Sequence, residues 1–160
     1  MTTARASPGA MLLRLWRRLF SWPGGRWIFS RILGWFVPYT GSISPCIREL
    51  RPGYARVELR DRRRVRNHLN CIHAIALANL GEVTSGLAVL TGLPPSTRGI
   101  VVRLTTEYMK KARGRLVAET NCVVPEVRGE DQEFVVYADI RDREGDVVAR
   151  TTVSWRLGPM

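Results

Sequence analysis

The sequence predicts an α+β domain in which a curved antiparallel β-sheet wraps around one long central α-helix, preceded by an N-terminal helical extension. Three observations carry this expectation. Residues 72–91 are apolar on nearly every face and end at the helix-stop signals Gly92 and Pro94. Four runs of period-two alternation follow that segment. Short linkers rich in turn formers, "KKARG", "EVRGED" and "REGD", join the runs, so the strands are antiparallel neighbours.

The chain has 160 residues, of which 45% are hydrophobic, enough for one domain with a core of its own. Its formal charge of +11 suggests nucleic acid until it is mapped. Residues 1–40 carry six Arg and no acid, and residues 41–70 carry eight Arg against three acids. Residues 71–160 balance eleven bases with eleven acids. The strands lack the interleaved aromatic and basic residues of single-strand binders, which argues against nucleic acid as a partner. Cys46, Cys71 and Cys122 are odd in number and widely spaced, which points to a reducing, cytoplasmic compartment rather than a disulfide framework. His68, Cys71 and His73 cluster, but no second ligand pair stands at zinc-finger spacing, so no metal is expected.

The extension is taken as residues 1–38 and the domain as residues 39–160. In "MLLRLWRRLFSW" (11–22), Leu12, Leu15, Trp16, Leu19 and Phe20 share one helical face and Arg14, Arg17 and Arg18 the other. "PGG" stops this helix, and "RWIFSRILGWFVP" forms a second apolar segment that ends at Pro38. Four of the five tryptophans lie in these first 35 residues. Three readings stand: a peripheral membrane contact through residues 11–37, a transit peptide, or a helical hairpin packed on the domain.

Strand texture begins after Tyr39. Ala55, Val57 and Leu59 alternate with Arg56, Glu58 and Arg60. The central helix carries Ala74, Ala76, Ala78, Gly81, Ser85, Gly86 and Ala88, small residues that let a curved sheet approach closely. In the four later runs, Ile100, Val102, Leu104, Thr106 and Tyr108 are expected on one face. Leu116 to Val124, Phe134 to Ile140 and Val147 to Trp155 behave alike at every second position.

The stretch "NHLNCIHAIALANLGE" (67–82) places Asn67 six residues before His73, followed by Ala74 and Ile75, with Glu82 eight residues after Ala74. This string resembles the hotdog-fold thioesterases, in their PaaI-like branch. There an Asn precedes His-Gly-Gly by six residues, and a catalytic Asp or Glu stands eight after the first Gly. "EYMKKARG" (107–114) is similar to a strand end and turn that reads Tyr-x-x-Pro-x-x-Gly in that family. The likeness covers about residues 40–157, in an uncharacterised subgroup with an N-terminal extension.

The resemblance implies a hotdog fold and hydrolysis of an acyl-CoA or acyl-carrier thioester, with coenzyme A as part of the substrate and no other cofactor. Glu82 would be the general base or nucleophile, and the Ala74 N–H the oxyanion donor. Asn67 would orient water or the carbonyl, with His73 beside it. Ala74 and Ile75 replace the two glycines, and Ile75 would narrow the pocket. Asn79, one turn before Glu82, would meet it or the substrate. Lys110, Lys111 and Arg113 would meet coenzyme A phosphates. Each residue also has a plainer reading: a helix cap for His73, a structural carboxylate for Glu82, a solvated turn for the bases. A non-catalytic hotdog module that binds acyl chains or partners, at the membrane surface or in solution, is the alternative function.

Eight residues along one helix separate Ala74 and Glu82 by about 12 Å. One carbonyl cannot touch both. A working site pairs Ala74 of one chain with Glu82 of another, which requires a homodimer or a tetramer. Cytoplasmic placement, free or at the inner membrane surface, completes the expectation.

Overall fold

The computed structural model describes residues 7–127 and 129–159, so the first six residues of the expected extension lie outside the described residues. Three helices lead the chain: α1 (Pro8–Leu19), α2 (Gly25–Phe36) and α3 (Pro38–Ile43). Ser7 caps α1, its hydroxyl accepting from the Ala10 N–H at 3.2 Å, and Pro8 occupies the first turn, where no N–H is needed. Gly24, left-handed at φ 77°, turns the chain into α2.

A hairpin of β1 (Cys46–Arg51) and β2 (Tyr54–Leu59) follows, turning at Pro52-Gly53. After a 3₁₀ turn at Arg63–Val65 comes the central helix α4 (Ala74–Gly92). The chain then adds β3 (Thr97–Tyr108), β4 (Leu116–Asn121), β5 (Gln132–Arg141) and β6 (Val147–Pro159). The six strands form one antiparallel sheet in the order β1-β2-β4-β5-β6-β3. It curves around α4, which touches all six strands. This is the hotdog architecture.

α4 is long and apolar enough to cross a bilayer by composition alone, but most of it is enclosed by the protein. Leu77, Leu80 and Leu87 of α4 share one core with Val57, Leu116 and Ile140 of the sheet. Gly81 permits the closest approach. A Cβ there would collide with the Thr151 side chain on β6.

The N-terminal helices belong to the same packing. Trp16, Phe29 and Leu33 are buried in the core that α4 and the sheet build, and Trp16 meets Phe29 edge to face at 5.1 Å. Burial of such side chains is worth roughly 1.5–3 kcal/mol each. α1 crosses α4 so closely that a Cβ on Gly9 would strike the Leu90 carbonyl. The buried Ser30 hydroxyl ties α2 to the sheet, accepting from the Ile47 N–H at 2.9 Å. Of the three readings of residues 11–37, packing on the domain is present in this structure.

The β4, β5 and β6 faces fall as the alternation predicts. β3 does not. A bulge between Val101 and Arg103 shifts its register against β6, so Val101 lies opposite Trp155 and Leu104 opposite Val153. Ile100 pairs with the exposed Arg156 and faces outward. The expected single face from Ile100 through Leu104 is therefore split, because one extra residue reverses the pleat.

Gly81→Ala is expected to destabilise the fold by about 1–3 kcal/mol through overpacking against Thr151. At Gly86 an added Cβ finds its nearest atoms at 3.8 Å, so Gly86→Ala should be neutral or stabilising by up to ~1 kcal/mol. Urea midpoints of the two variants check this; equal midpoints would mean that the α4–β6 approach is looser than described.

Candidate functional site

The α4 N-terminus is fixed from both sides. The Ile72 N–H donates to the Ala112 carbonyl at 2.8 Å, and the His73 N–H to the Val65 carbonyl at 2.8 Å. Asn67 closes the preceding turn. Its side-chain oxygen accepts from the Leu69 N–H at 2.9 Å and from the Cys71 N–H at 3.3 Å. Asn70, at φ 54°, supplies the left-handed residue that this turn needs.

His73 is the N-cap of α4, its Nδ1 accepting from the Ile75 N–H at 3.1 Å. The plainer reading of His73 describes this geometry. Ala74 is the first helical residue, and its N–H has no partner among the described residues. Its carbonyl accepts from the Tyr108 hydroxyl at 3.1 Å. The helix start thus presents a free donor at the positive end of its dipole. Ile75 is 54% exposed and lines a shallow surface pocket with His73, Ala76 and Asn79, apart from the residues that surround Glu82.

Glu82 stands further along α4, half-buried, on a groove of about 560 Å³ between α4, α1 and α2. Val83, Gly86, Leu87 and Leu90 continue the floor. Leu12 and Leu15 of α1 form one wall, and Ile32, Leu33 and Phe36 of α2 the other. Glu82 is the one ionisable residue among those that line the groove. Burial pushes its carboxyl above the ordinary value of 4.5, and no cation opposes the shift.

Two expected site residues sit elsewhere. Asn79 does not meet Glu82. It is buried, and its side-chain amide donates to the Tyr39 carbonyl of α3 at 3.0 Å. The two residues are neighbours about 60° apart around the helix, but the Tyr39 carbonyl takes the Asn79 amide while Glu82 lines the groove. Lys110 is engaged by three acids. Asp142 and Asp146 hold its ammonium at 2.7 Å each and Glu144 at 3.3 Å, bonds that raise its pKa. Lys111 and Arg113 remain exposed, and they flank Ala112, which bonds to Ile72 just before the helix.

The groove is what sequence reasoning missed. Its walls come from the segment taken as a separate extension. The available signal was Gly86, a helix-interior glycine with no close neighbour to require it.

The Glu82 shift has a pH consequence. Between 4.5 and the raised value the native state holds the proton more firmly than the unfolded chain does. Native protein then binds more protons, and stability falls as pH rises through that window. The favourable contribution is complete below 4.5 and lost above the raised value. Glu82→Gln should match the parent at about pH 4 and gain on it by about pH 8. Urea midpoints of both proteins across that range test this; a constant difference would mean that Glu82 titrates normally.

The described geometry has counterparts among known proteins. The family described as "Domain of unknown function (DUF4442)" matches residues 25–157, starting inside the segment that the sequence separates at residue 38. The crystal structure of genomics APC5556 is 30% identical, with a TM-score of 0.81, and the match covers 94% of this chain and 99% of that one. The probable thioesterase PA5026 from Pseudomonas aeruginosa is 21% identical, covering 82% and 91% of the two chains at a TM-score of 0.68. A mutant of the thioesterase SAV0944 from Staphylococcus aureus is 14% identical, covering 76% and 99% at 0.65. At those last two identities the likeness establishes the fold alone. No curated protein matches the chain. With 133 consecutive residues inside that family match and a hotdog sheet closed around α4, the chain belongs to the DUF4442 family of hotdog-fold proteins.

Proposed function

We propose that this protein is a thioesterase that hydrolyses an acyl-CoA or acyl-carrier thioester at a site shared by two copies of the chain. The observation that carries the reading is Glu82, a lone desolvated carboxylate on an apolar groove, on the helix whose start offers an unpartnered N–H. The thioesterases among the structural neighbours support the reaction class.

In this reading the Ala74 N–H of one subunit polarises the thioester carbonyl and holds the developing oxyanion. The partner subunit's Glu82 takes a proton from water, and the hydroxide so formed attacks the carbonyl carbon. The tetrahedral intermediate collapses with cleavage of the C–S bond. The sulfur leaves as a thiol with the proton that Glu82 had taken, and a carboxylic acid remains. A raised pKa suits this role, because a base works best near the operating pH. Direct attack by Glu82 to give a mixed anhydride is the nucleophilic variant of the same arrangement. Lys111 and Arg113, beside the helix start, suit the phosphates of coenzyme A.

The dimer has a physical candidate in β3. It is a twelve-residue edge strand, so one side of its backbone is unpaired. On its helix-side face Leu104 and Tyr108 stay 38% and 50% exposed. Pairing of two β3 edges would cover both features.

A peripheral role at the inner membrane surface is part of the proposal, for a protein of the reducing cytoplasm. Trp27, Arg31 and Trp35 recur at every fourth residue on the outer face of α2, and the two tryptophans are 64% and 77% exposed. Exposed Arg14, Arg17 and Arg18 add charge on α1. Interfacial aromatics with arginines and no acids suit an anionic bilayer. Replacing both Trp27 and Trp35 with Ala should reduce co-sedimentation with phosphatidylglycerol vesicles by about tenfold while leaving the dimer mass unchanged. Equal sedimentation of parent and variant would remove the membrane reading.

Subunit mixing tests the shared site. Glu82→Gln should lower turnover about 10²–10⁴-fold. Ala74→Pro removes only the donor: proline is accepted at the first helical position, and His73 already holds the extended backbone (ψ 141°) that a following proline favours. Each variant alone should be inactive. Exchanged into heterodimers, one site carries both defects and the other neither, so activity should return to about half of the parent level per heterodimer. Exchange confirmed by mass without any rescue would overturn the shared site.

A further inference from the structure

The groove beside Glu82 has no role in the reaction as described, and its shape limits what can fill it. Its floor runs along α4 from Glu82 to Leu90, about 12 Å at the helical rise. Thr40 and Glu82 are the polar residues among those that line it, and Glu82 lies at the end of the floor nearer the α4 N-terminus. Met11, Phe36 and Val37 line the groove and are also exposed, so they form an apolar mouth.

Gly86 is the informative residue. Glycine in a helix interior is unfavourable, and proteins keep it where something comes close. At Gly81 that neighbour is Thr151; at Gly86 nothing in the chain presses on the position, since a Cβ would meet only ordinary contacts at 3.8 Å. The two atoms nearest to it belong to the Glu82 carboxylate and to the Trp155 ring. Gly86 therefore keeps the floor of the groove open directly beside the proposed base.

We infer that this groove is the binding site for the substrate's acyl chain, and that the α1–α2 hairpin makes the protein favour thioesters of long, apolar acyl groups over short ones. The preference follows from the floor, whose ~12 Å of continuous apolar surface a short acyl group would leave mostly uncovered. The inference rests on the thioesterase reading for the identity of the ligand head, but not for the occupancy of the groove. A polar acyl group fits poorly, because Thr40 and Glu82 are the lining residues whose side chains offer a donor or acceptor. The carbonyl then lies at the Glu82 end, where hydrolysis needs it, and the methyl end toward Leu90. The hairpin thereby becomes a specificity element.

Binding and hydrolysis are measured separately on the full chain. cis-Parinaric acid fluorescence reports occupancy, with unlabelled straight-chain fatty acids of increasing length as competitors on the parent protein. Each added methylene should tighten competition about three- to fourfold until the groove is filled. A flat length profile overturns the proposal without any variant. Gly86→Leu and Ile32→Trp fill the groove from two different helices, so a folding failure in one leaves the other, each checked by circular dichroism. Either should weaken parinarate about tenfold or more and shift the ratio of dodecanoyl-CoA to butyryl-CoA hydrolysis toward butyryl by a similar factor. Folded variants with the parent's affinity and ratio overturn the acyl groove. So does a change in oligomeric mass with both unchanged, which would make the groove a contact between chains. If the parent binds parinarate in the groove yet hydrolyses no thioester, the acyl site stands and the catalytic reading falls.

Discussion

The structure is organised by a helix that has no polar face. α4 is apolar around its circumference, and in water such a helix is stable only if it is enclosed. The curved sheet encloses one side, which is why all six strands touch it and why Gly81 must admit Thr151. A sheet that wraps one side still leaves the other exposed. The α1–α2 hairpin covers much of that side, with Trp16, Phe29 and Leu33 joined to the same core. Seen this way the hairpin is the remaining part of the helix's enclosure, which agrees with a family match that begins within it at residue 25.

Enclosure also explains the properties of Glu82. A carboxylate on this helix loses water wherever it stands, and beside the groove it gains no cation in return. Contrast Asp139, whose carboxyl is held below its ordinary value by Arg150. The two acids belong to one domain and are shifted in opposite directions by their surroundings. Of the two, Glu82 is the more basic carboxylate. The same rigid helix that desolvates Glu82 holds it about 12 Å from the Ala74 N–H. A straight helix cannot fold back on itself, so chemistry that uses both groups needs a second chain.

Much of the fold was legible in the sequence because its strongest signals are periodic. The all-round apolar stretch at 72–91 and the alternation in β4, β5 and β6 each specify an element and the face it buries. β3 defeated the same reasoning, since the bulge at Val101/Arg103 is a pairing event that leaves no local mark on the pattern. In the site, Glu82 and Ala74 were marked by spacing, and His73 by its place before the helix. The contacts of Lys110 and Asn79 were not legible, because their partners, Asp142 and Tyr39, are 32 and 40 residues distant. The groove was invisible for a similar reason, as its walls and floor come from opposite sides of the β1–β2 hairpin.

The hairpin's two faces answer to different solvents, and that constrains what it can be. Its inner face must be apolar to enclose α4, and Phe29 and Leu33 supply that. Were enclosure its whole purpose, the outer face would be polar, as on most surface helices. Instead the outer face of α2 carries Trp27 and Trp35 beside Arg31, a costly arrangement for a surface that meets only water. At the same time the inner face stops short of closing over α4 and leaves the groove between Leu12, Ile32 and Gly86. A hairpin selected for packing alone would close that gap and hide those tryptophans. The two departures lie on opposite faces of one hairpin, an apolar groove toward α4 and exposed tryptophans toward solvent. The apolar mouth at Met11, Phe36 and Val37, next to Trp35, is where the two faces meet.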